Sequence, residues 1–345
     1  MKNRIIIFLF SLIINISLKA QIGGNATYNF LEMTISPFSS ALGGKIISNP
    51  LTKETIFLNP ALLSQNDSNN VSFIYKSYLA KINIGMFSYT FNQKKIGNFA
   101  FGIHYANYGK FDQYDAFGNY YGQFTASDYI PYLTYSFHAD SLLNIGVNLK
   151  IIYSQLETYY SFGYSIDLGM FYKVNEQTNF ALVARNIGRQ VKPYYNTYEP
   201  LPLNISVGIT NRLKYAPFIL NFTFEYLNKW DIRFDSYLNS LYKPVLADTI
   251  SLVYKASVVV DEIMRHLNLG TQLIFSPKFH ILFGYNFRRA KELALPTRLS
   301  LNGLSLGLII NTDKLSFTYS LEKISLLSVH SFGITLNLNS IFYKF

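Results

Sequence analysis

The sequence predicts an all-β protein, a transmembrane antiparallel β-barrel of about 14 strands with an N-terminal plug segment. Three observations carry this. From Ser161 to Lys173, Phe162, Tyr164, Ile166, Leu168, Met170 and Tyr172 fall on every second position, with Ser161, Gly163, Ser165, Asp167 and Gly169 between them. That is the period of a strand, with one oily face and one small, weakly polar face. The whole chain of 345 residues is 49% hydrophobic and 17% aromatic but only 14% charged. An ordinary soluble domain carries about 25% charge, so something other than water must cover this surface. Finally, the connections between strand-like runs alternate between short and long, as in a barrel with a periplasmic and an outer side.

Residues 1–20 read as a secretory signal peptide: Lys2 and Arg4, an apolar run from Ile5 to Leu18, then Ala20 as the cleavage residue. The run is short for a retained membrane helix. Residues 21–70 alternate poorly. They hold the small-residue stretch Ala41 to Gly44 and the turn Asn59-Pro60-Ala61, where Asn59 can cap a short helix that accepts Pro60 in its first turn. An ordinary capped turn and a plug folded inside the barrel both fit this segment.

The barrel is expected over 71–345. Strands are placed near 71–80, 83–92, 97–108, 124–138, 142–156, 160–173, 178–190, 202–214, 217–228, 265–276, 278–291, 299–311, 313–323 and 327–339. The count is even, as single-chain bacterial barrels require. Short turns follow the even-numbered strands at 92–96, 138–141, 174–177, 214–216, 276–277 and Thr312. Long outer loops are expected at 109–123, 191–201, 229–265 and 289–297, with the first, fifth and last outer loops short.

Parity assigns the faces. Phe99, Phe101, Ile103 and Tyr105, and Phe218, Leu220, Phe222, Phe224 and Tyr226, point to lipid. His104, Lys150, Asp167, Arg185, Glu225, His280 and Glu322 point to the lumen, where both signs of charge suit mutual pairing or contact with a plug. Pro131 has no amide proton for the ladder, so a bulge or kink is expected in the fourth strand.

Several chemistries are excluded or left without support. The formal net charge is +10, from 30 Lys and Arg against 20 Asp and Glu, and loss of Lys2, Arg4 and Lys19 with the leader leaves +7. These charges are scattered among turns and loops, which favours an anionic membrane surface over nucleic acid. Cysteine is absent, so disulfides, thiolate metal sites and a lipoprotein anchor are out. His104, His138, His266, His280 and His330 lack metal-ligand spacing. Neither a nucleophile elbow nor a phosphate loop is present. No catalytic, cofactor or metal residue is assigned, and the chain reads as a non-enzyme.

The outer loops offer binding chemistry instead. Phe111, Tyr114 and Phe117 cluster in one loop; Lys192, Tyr194, Tyr195, Tyr198 and Glu199 lie in another, stiffened by Pro193, Pro200 and Pro202. Rigid aromatics lose little entropy on docking, so these are candidate partner-binding residues, with an interfacial aromatic girdle or a self-packed lid as the plain alternative. Arg288 and Arg289, at the outer end of the eleventh strand, can meet lipopolysaccharide phosphates or form a rim salt bridge with Glu199 or Glu292. Residues 256–267 carry Val259, Val260, Ile263, Met264 and Leu267 opposite Asp261 and Glu262, an amphipathic helix that caps the mouth or forms a partner groove.

Set beside Ala41-Leu42-Gly43-Gly44 and fourteen strands, Asn59-Pro60-Ala61 resembles the plug turn of the fatty-acid-transporter-like outer-membrane barrels. Further blocks narrow the likeness: Tyr28 to Phe30, Tyr108 to Asp112 with Asp115, Phe117, Gly118 and Asn119, Arg185-Asn186-Ile187-Gly188, Lys192-Pro193-Tyr194, Thr197 to Pro202, and Gly284 to Ala290. In these the chain is similar to the PorQ family of the Bacteroidetes type IX secretion system. The resemblance implies a non-enzymatic component of the outer membrane of a Gram-negative bacterium. It would hold a PorZ-like surface partner beside the PorU sortase and PorV, where cargo is joined to lipopolysaccharide. The wider family implies the alternative, a transporter of a small hydrophobic molecule, with an apolar pocket between plug and wall that opens sideways at Pro131. The segment Asn339 to Phe345 departs from the family pattern, although a terminal Phe345 suits the end signal of outer-membrane proteins.

Overall fold

The computed structural model describes residues 26–64, 69–93, 96–232, 252–293, 301–324 and 327–342. The leader at 1–20, residues 233–251 of the expected loop 229–265, residues 294–297 of the expected loop 289–297, and Phe345 lie outside the described residues.

Alternating side chains build fourteen strands: β1 Asn70–Ser77, β2 Asn83–Gln93, β3 Gly97–Tyr114, β4 Tyr120–His138, β5 Leu143–Leu156, β6 Tyr159–Lys173, β7 Thr178–Lys192, β8 Asn204–Arg212, β9 Phe218–Phe224, β10 Leu267–Ser276, β11 Phe279–Asn286, β12 Leu304–Asn311, β13 Leu315–Ile324 and β14 Leu327–Asn337. Each pairs antiparallel with the next, and β14 returns to β1 through Asn70↔Asn337 to Ser77↔His330. The ring is a closed outer-membrane barrel with no free margin. On the lipid face, Phe91, Phe99, Tyr135 and Phe137 form one aromatic row across β2 to β4, and Tyr105, Tyr129 and Tyr153 form a second across β3 to β5.

The wall is uneven in height. β3 and β4 run for 18 and 19 residues, whereas β8 to β12 have between 7 and 10. At ~3.3 Å per residue and a tilt near 40°, the long pair rises about 45 Å and the short side about 18 to 25 Å, against an apolar band ~25 Å tall. The expected loop 109–123 is therefore mostly strand. β3 and β4 pair out to Tyr114↔Tyr120, beyond the last partners given by β2 (Asn107) and β5 (Ala126). Above the barrel they make a two-stranded ribbon whose tip is 115–119, closed by the Asp115 carboxylate accepting from the Phe117 and Asn119 amides. Gly109, Gly118 and Gly122, all at positive φ, break the alternation that would otherwise mark these residues as strand.

Two more expectations are corrected. Of the bulge or kink expected at Pro131, the bulge is absent: β4 stays in register with β5, and the ladder is interrupted between Tyr129↔Tyr153 and Tyr132↔Lys150. Tyr226 does not face lipid, because β9 ends at Phe224 and a left-handed backbone at Tyr226 (φ 60) turns the phenol to the hatch. The seven residues assigned to the lumen are all buried.

The lumen is filled by residues 26–64, the hatch. It contains the helix α1, Pro37–Ala41, started by Ser36, whose hydroxyl accepts from the Ser39 amide, and a 3-10 turn Pro60–Leu62 capped by Asn59. The small inner face of the wall is explained by this filling. The Asn59-Pro60 turn rests on Gly146 of β5 and Gly169 of β6, and residues 41–43 rest on Gly284 of β11; a Cβ at any of the three would overlap the hatch backbone or the Asn59 side chain. Polar contacts follow the same rule, as Ser48 meets Thr210 at 2.7 Å and Asn49 donates to Asn221 at 2.9 Å.

Gly284→Ala is expected to push the hatch off β11 while leaving the ring closed, a cost of about 1–3 kcal/mol for inserted volume in a packed site. Hydrogen exchange should show faster exchange across 26–64 and unchanged protection in the strands.

Candidate functional site

The features that bear on function meet at the outer mouth, where the hatch approaches the rim. There β11 passes into the helix α3, Phe287–Glu292, capped by Asn286, whose side-chain oxygen accepts from the Arg289 amide at 2.7 Å. The same Asn286 donates to the Gly43 carbonyl of the hatch at 2.9 Å. Arg288 and Arg289 thus belong to a rim helix rather than to the end of a strand. Before β10 lies the longer helix α2, Leu252–His266.

A cavity of about 420 Å³ opens between hatch and rim, lined by Glu32, Met33 and Lys45 of the hatch, Lys76 and Tyr78 from the β1 end, Glu225, Arg288, Arg289, Glu292 and Glu322. Two ionic networks border it. In the first, the Glu32 carboxylate accepts from Lys45 (2.5 Å), Arg185 (3.2 Å), Asn186 (2.8 Å), Asn204 (2.7 Å) and Tyr226 (2.8 Å). Burial alone would raise the Glu32 carboxyl, but Lys45 and Arg185 outweigh it and hold the group at about 2. Lys45 also pairs with Glu225 at 3.0 Å, and the Arg288 guanidinium lies over the Tyr226 ring, 4.7 Å from its centre. In the second network, Glu322 of β13 binds Lys76 at 2.5 Å and Arg289, while Lys76 donates to the hatch at Thr34 O (2.7 Å) and Ser40 Oγ (3.0 Å).

A bulge makes the first network possible. Between Ile166↔Ile187 and Leu168↔Ala184 the register shifts, and Asn186 sits at φ 62. Arg185 and Asn186 then both turn inward, the latter's amide donating to Asp167 at 2.8 Å, beside the buried pair Lys150–Asp167 at 2.5 Å. Parity alone would have sent Asn186 into lipid.

The rest of the lumen differs by side. Ile74, Ile84, Met86, Ala106 and Tyr132, on the inner faces of β1 to β4, pack with Ile35 and Phe57 of the hatch, and Met33 and Tyr78 join this cluster to the mouth cavity. His104 stands inside the strip, edge-on to Phe30 and Phe57, with no hydrogen-bond partner at either ring nitrogen among the described residues. On β8 to β10 the inner face is instead hydroxyl and amide, as at Ser206, Thr210, Asn221, Thr223, Asn268 and Gln272.

The candidate partner-binding residues divide. Phe111, Tyr114 and Phe117 are exposed on the ribbon, and Tyr195, Tyr198 and Glu199 are exposed in the connection 193–203. Tyr194 is not free for a partner: its hydroxyl donates to Ser154 at 2.5 Å and its ring packs edge-on to Tyr28 of the hatch, because Pro193 starts the connection back over the mouth. Lys192 stacks on Tyr160, its ammonium 3.0 Å from the ring centre. Arg289 is committed to Glu322 rather than to Glu199 or Glu292, and Arg288 reaches Glu292 at 4.0 Å. Asn59, Pro60 and Ala61 are fully inside, with the Asn59 amide donating to Ile47 O at 2.7 Å. Among the described residues no group of His, Cys, Asp and Glu is arranged to hold a metal ion.

Glu322→Gln should leave Lys76 and Arg289 buried without a counter-charge, which costs about 3–5 kcal/mol. Replacing all three members together, Lys76→Met, Arg289→Met and Glu322→Met, is expected to recover most of that loss. Thermal unfolding of the three proteins in detergent, followed by the heat-dependent gel shift of the barrel, measures both effects.

No protein-family model matches the sequence, and no functionally curated protein does either. The fold does match solved structures. The CymD monoaromatic hydrocarbon channel is similar with a TM-score of 0.52 at 13% identity, over 89% of this chain and 98% of that one. The toluene transporter TodX of Pseudomonas putida gives 0.51 at 12%, over 87% and 96%. A FadL homologue of Pseudomonas aeruginosa gives 0.50 at 9%, over 89% and 99%. At such identities the likeness establishes the architecture: the chain has the outer-membrane barrel fold of these proteins.

Proposed function

We propose that this protein is a hatch-gated conduit that takes a small hydrophobic molecule across the outer membrane. The observation that carries the reading is the apolar strip of Ile74, Ile84, Met86, Ala106 and Tyr132, joined to the outer mouth through Met33 and Tyr78 and covered by Ile35 and Phe57 of the hatch. Were the hatch to withdraw, these wall side chains would line one side of the lumen with apolar surface. The fold shared with hydrocarbon channels supports the same reading. The mouth cavity itself is bordered by charge and the strip is packed against the hatch, so passage requires the hatch to move.

A cross-link tests this. Ser48 and Thr210 meet at 2.7 Å between hatch and β8, and the chain has no cysteine of its own. With Ser48→Cys and Thr210→Cys, uptake of a labelled monoaromatic compound into proteoliposomes should stop on oxidation and return on reduction. Equal uptake in both states, or none in either, defeats the reading.

A second reading, anchoring of a surface partner of the type IX attachment complex, is favoured by a different observation. The ribbon stands about 20 Å above the apolar band, and Phe117 at its tip is 91% exposed. Tyr195 and Tyr198, in the outer connection 193–203, are also exposed, at 75% and 65%. Substituting Phe117, Tyr195 and Tyr198 together by Ser should leave the barrel inserted and release the partner from pull-downs of solubilised membranes. A deletion strain separates the readings: lost hydrophobic uptake supports the first, and secreted, unanchored cargo with normal uptake supports the second.

A further inference from the structure

Helix α2 carries its amphipathicity the wrong way round for a loop in water. A surface helix turns its aliphatic stripe inward and its charges out. Here Glu262 is only 7% exposed and His266 3%, whereas Val259, Val260 and Ile263 are 48%, 57% and 39% exposed. The polar groups are occupied on the protein side. The His266 ring lies between the carbonyls of Glu225 (2.6 Å) and Trp230 (2.8 Å), and Asp261 takes Arg265 (2.7 Å) and Lys291 of α3 (3.4 Å). The amphipathic helix expected over 256–267 is present, and of the two roles open to it, a cap on the mouth or a partner groove, its aliphatic face is not turned into the mouth.

What covers the stripe follows from where it leads. At helical spacing Val259, Val260 and Ile263 continue to Leu267, the first residue of β10, whose lipid-side row runs on through Leu269 and Leu273. The stripe is an extension of the barrel's lipid belt. The wall below it, β8 to β10, rises no higher than the apolar band, about 18 to 25 Å against ~25 Å, which sets α2 at the upper edge of the bilayer rather than above it. Beside it Trp230, 52% exposed, stacks on His266 with ring centres 5.4 Å apart. An indole with one wet and one oily side is suited to that boundary.

We infer that α2 rests on the outer leaflet, with Val259, Val260 and Ile263 immersed in lipid and the charged face held by α3 and the rim. The short side of the barrel is thus fastened to the membrane surface by a helix lying in its plane.

The chain has no cysteine, so Val260→Cys can carry an environment-sensitive fluorophore at a single, already exposed position. In phosphatidylcholine proteoliposomes its emission should be blue-shifted. Lipids brominated near the headgroup end of the acyl chain should quench it several-fold more than aqueous iodide does. The same dye at Lys291→Cys, on the polar side, should respond to iodide. Trp230, the sole tryptophan, reports independently, with the same preference for brominated lipid expected in the unmodified protein. Iodide-dominated quenching at both Val260→Cys and Trp230 overturns the inference. So does a Val260→Cys dye that is wet in proteoliposomes yet shielded in native outer membranes, since a protein partner would then cover the stripe.

Discussion

A closed ring of eight strands can be filled by its own inward side chains, but a ring of fourteen cannot. This chain meets the difference with its own N-terminal segment, and the packing of hatch against wall governs most of what is specific in the structure. Glycine and serine line the inner face of β6 because Tyr28 and Asn59 lie upon it. Isolated charges in the strands, at Lys76, Lys150, Arg185 and Glu322, find their counter-charges on nearby strands, on the rim helix or in the hatch, where an unpaired ion would be prohibitively costly. The blocks of sequence that carried the family resemblance fall largely at these contacts: Arg185-Asn186 is the inward bulge, Gly284 to Arg289 is the hatch rest and rim helix, and the Pro200 carbonyl accepts from Thr27 at 2.9 Å.

The two ends of the ionic system meet on one short element. Arg288 borders the network of Glu32 and Glu225, while Arg289 closes that of Glu322 and Lys76, which reaches the hatch at Thr34 and Ser40. Adjacent residues of α3 therefore touch both systems holding the hatch from opposite flanks. Displacement of α3 would loosen both at once, whereas the Asn59-Pro60 turn, deep against β5 and β6, has no direct link to the rim.

Fourteen strands, their order and most of their bounds were legible in the sequence because a period of two survives any context in which one face meets lipid. The inward charges were legible for the same reason, since parity places Lys150, Asp167 and Glu322 without knowledge of their partners. What parity could not reach were the departures from it. Asn186 and Tyr226 enter the lumen through left-handed backbone that nothing in their neighbours announces. Residues 110–114 and 120–123 looked like loop because turn-forming glycines interrupt them, although pairing across the ribbon overrides that local preference. The partners of the hatch were illegible for another reason: contacts such as Tyr28 with Ser161 join positions more than a hundred residues apart.

The unequal height of the wall divides the outer surface in two. On one flank the ribbon of β3 and β4 stands as a fence above the lipid, and on the other the strands stop at bilayer level beneath α2 and α3. Among the described residues, the rings of Phe111, Tyr114 and Phe117 thus stand clear of the lipid on one flank, while on the other the described wall ends in helices that run level with the headgroups, so the outer surface presents two different chemistries at two different heights.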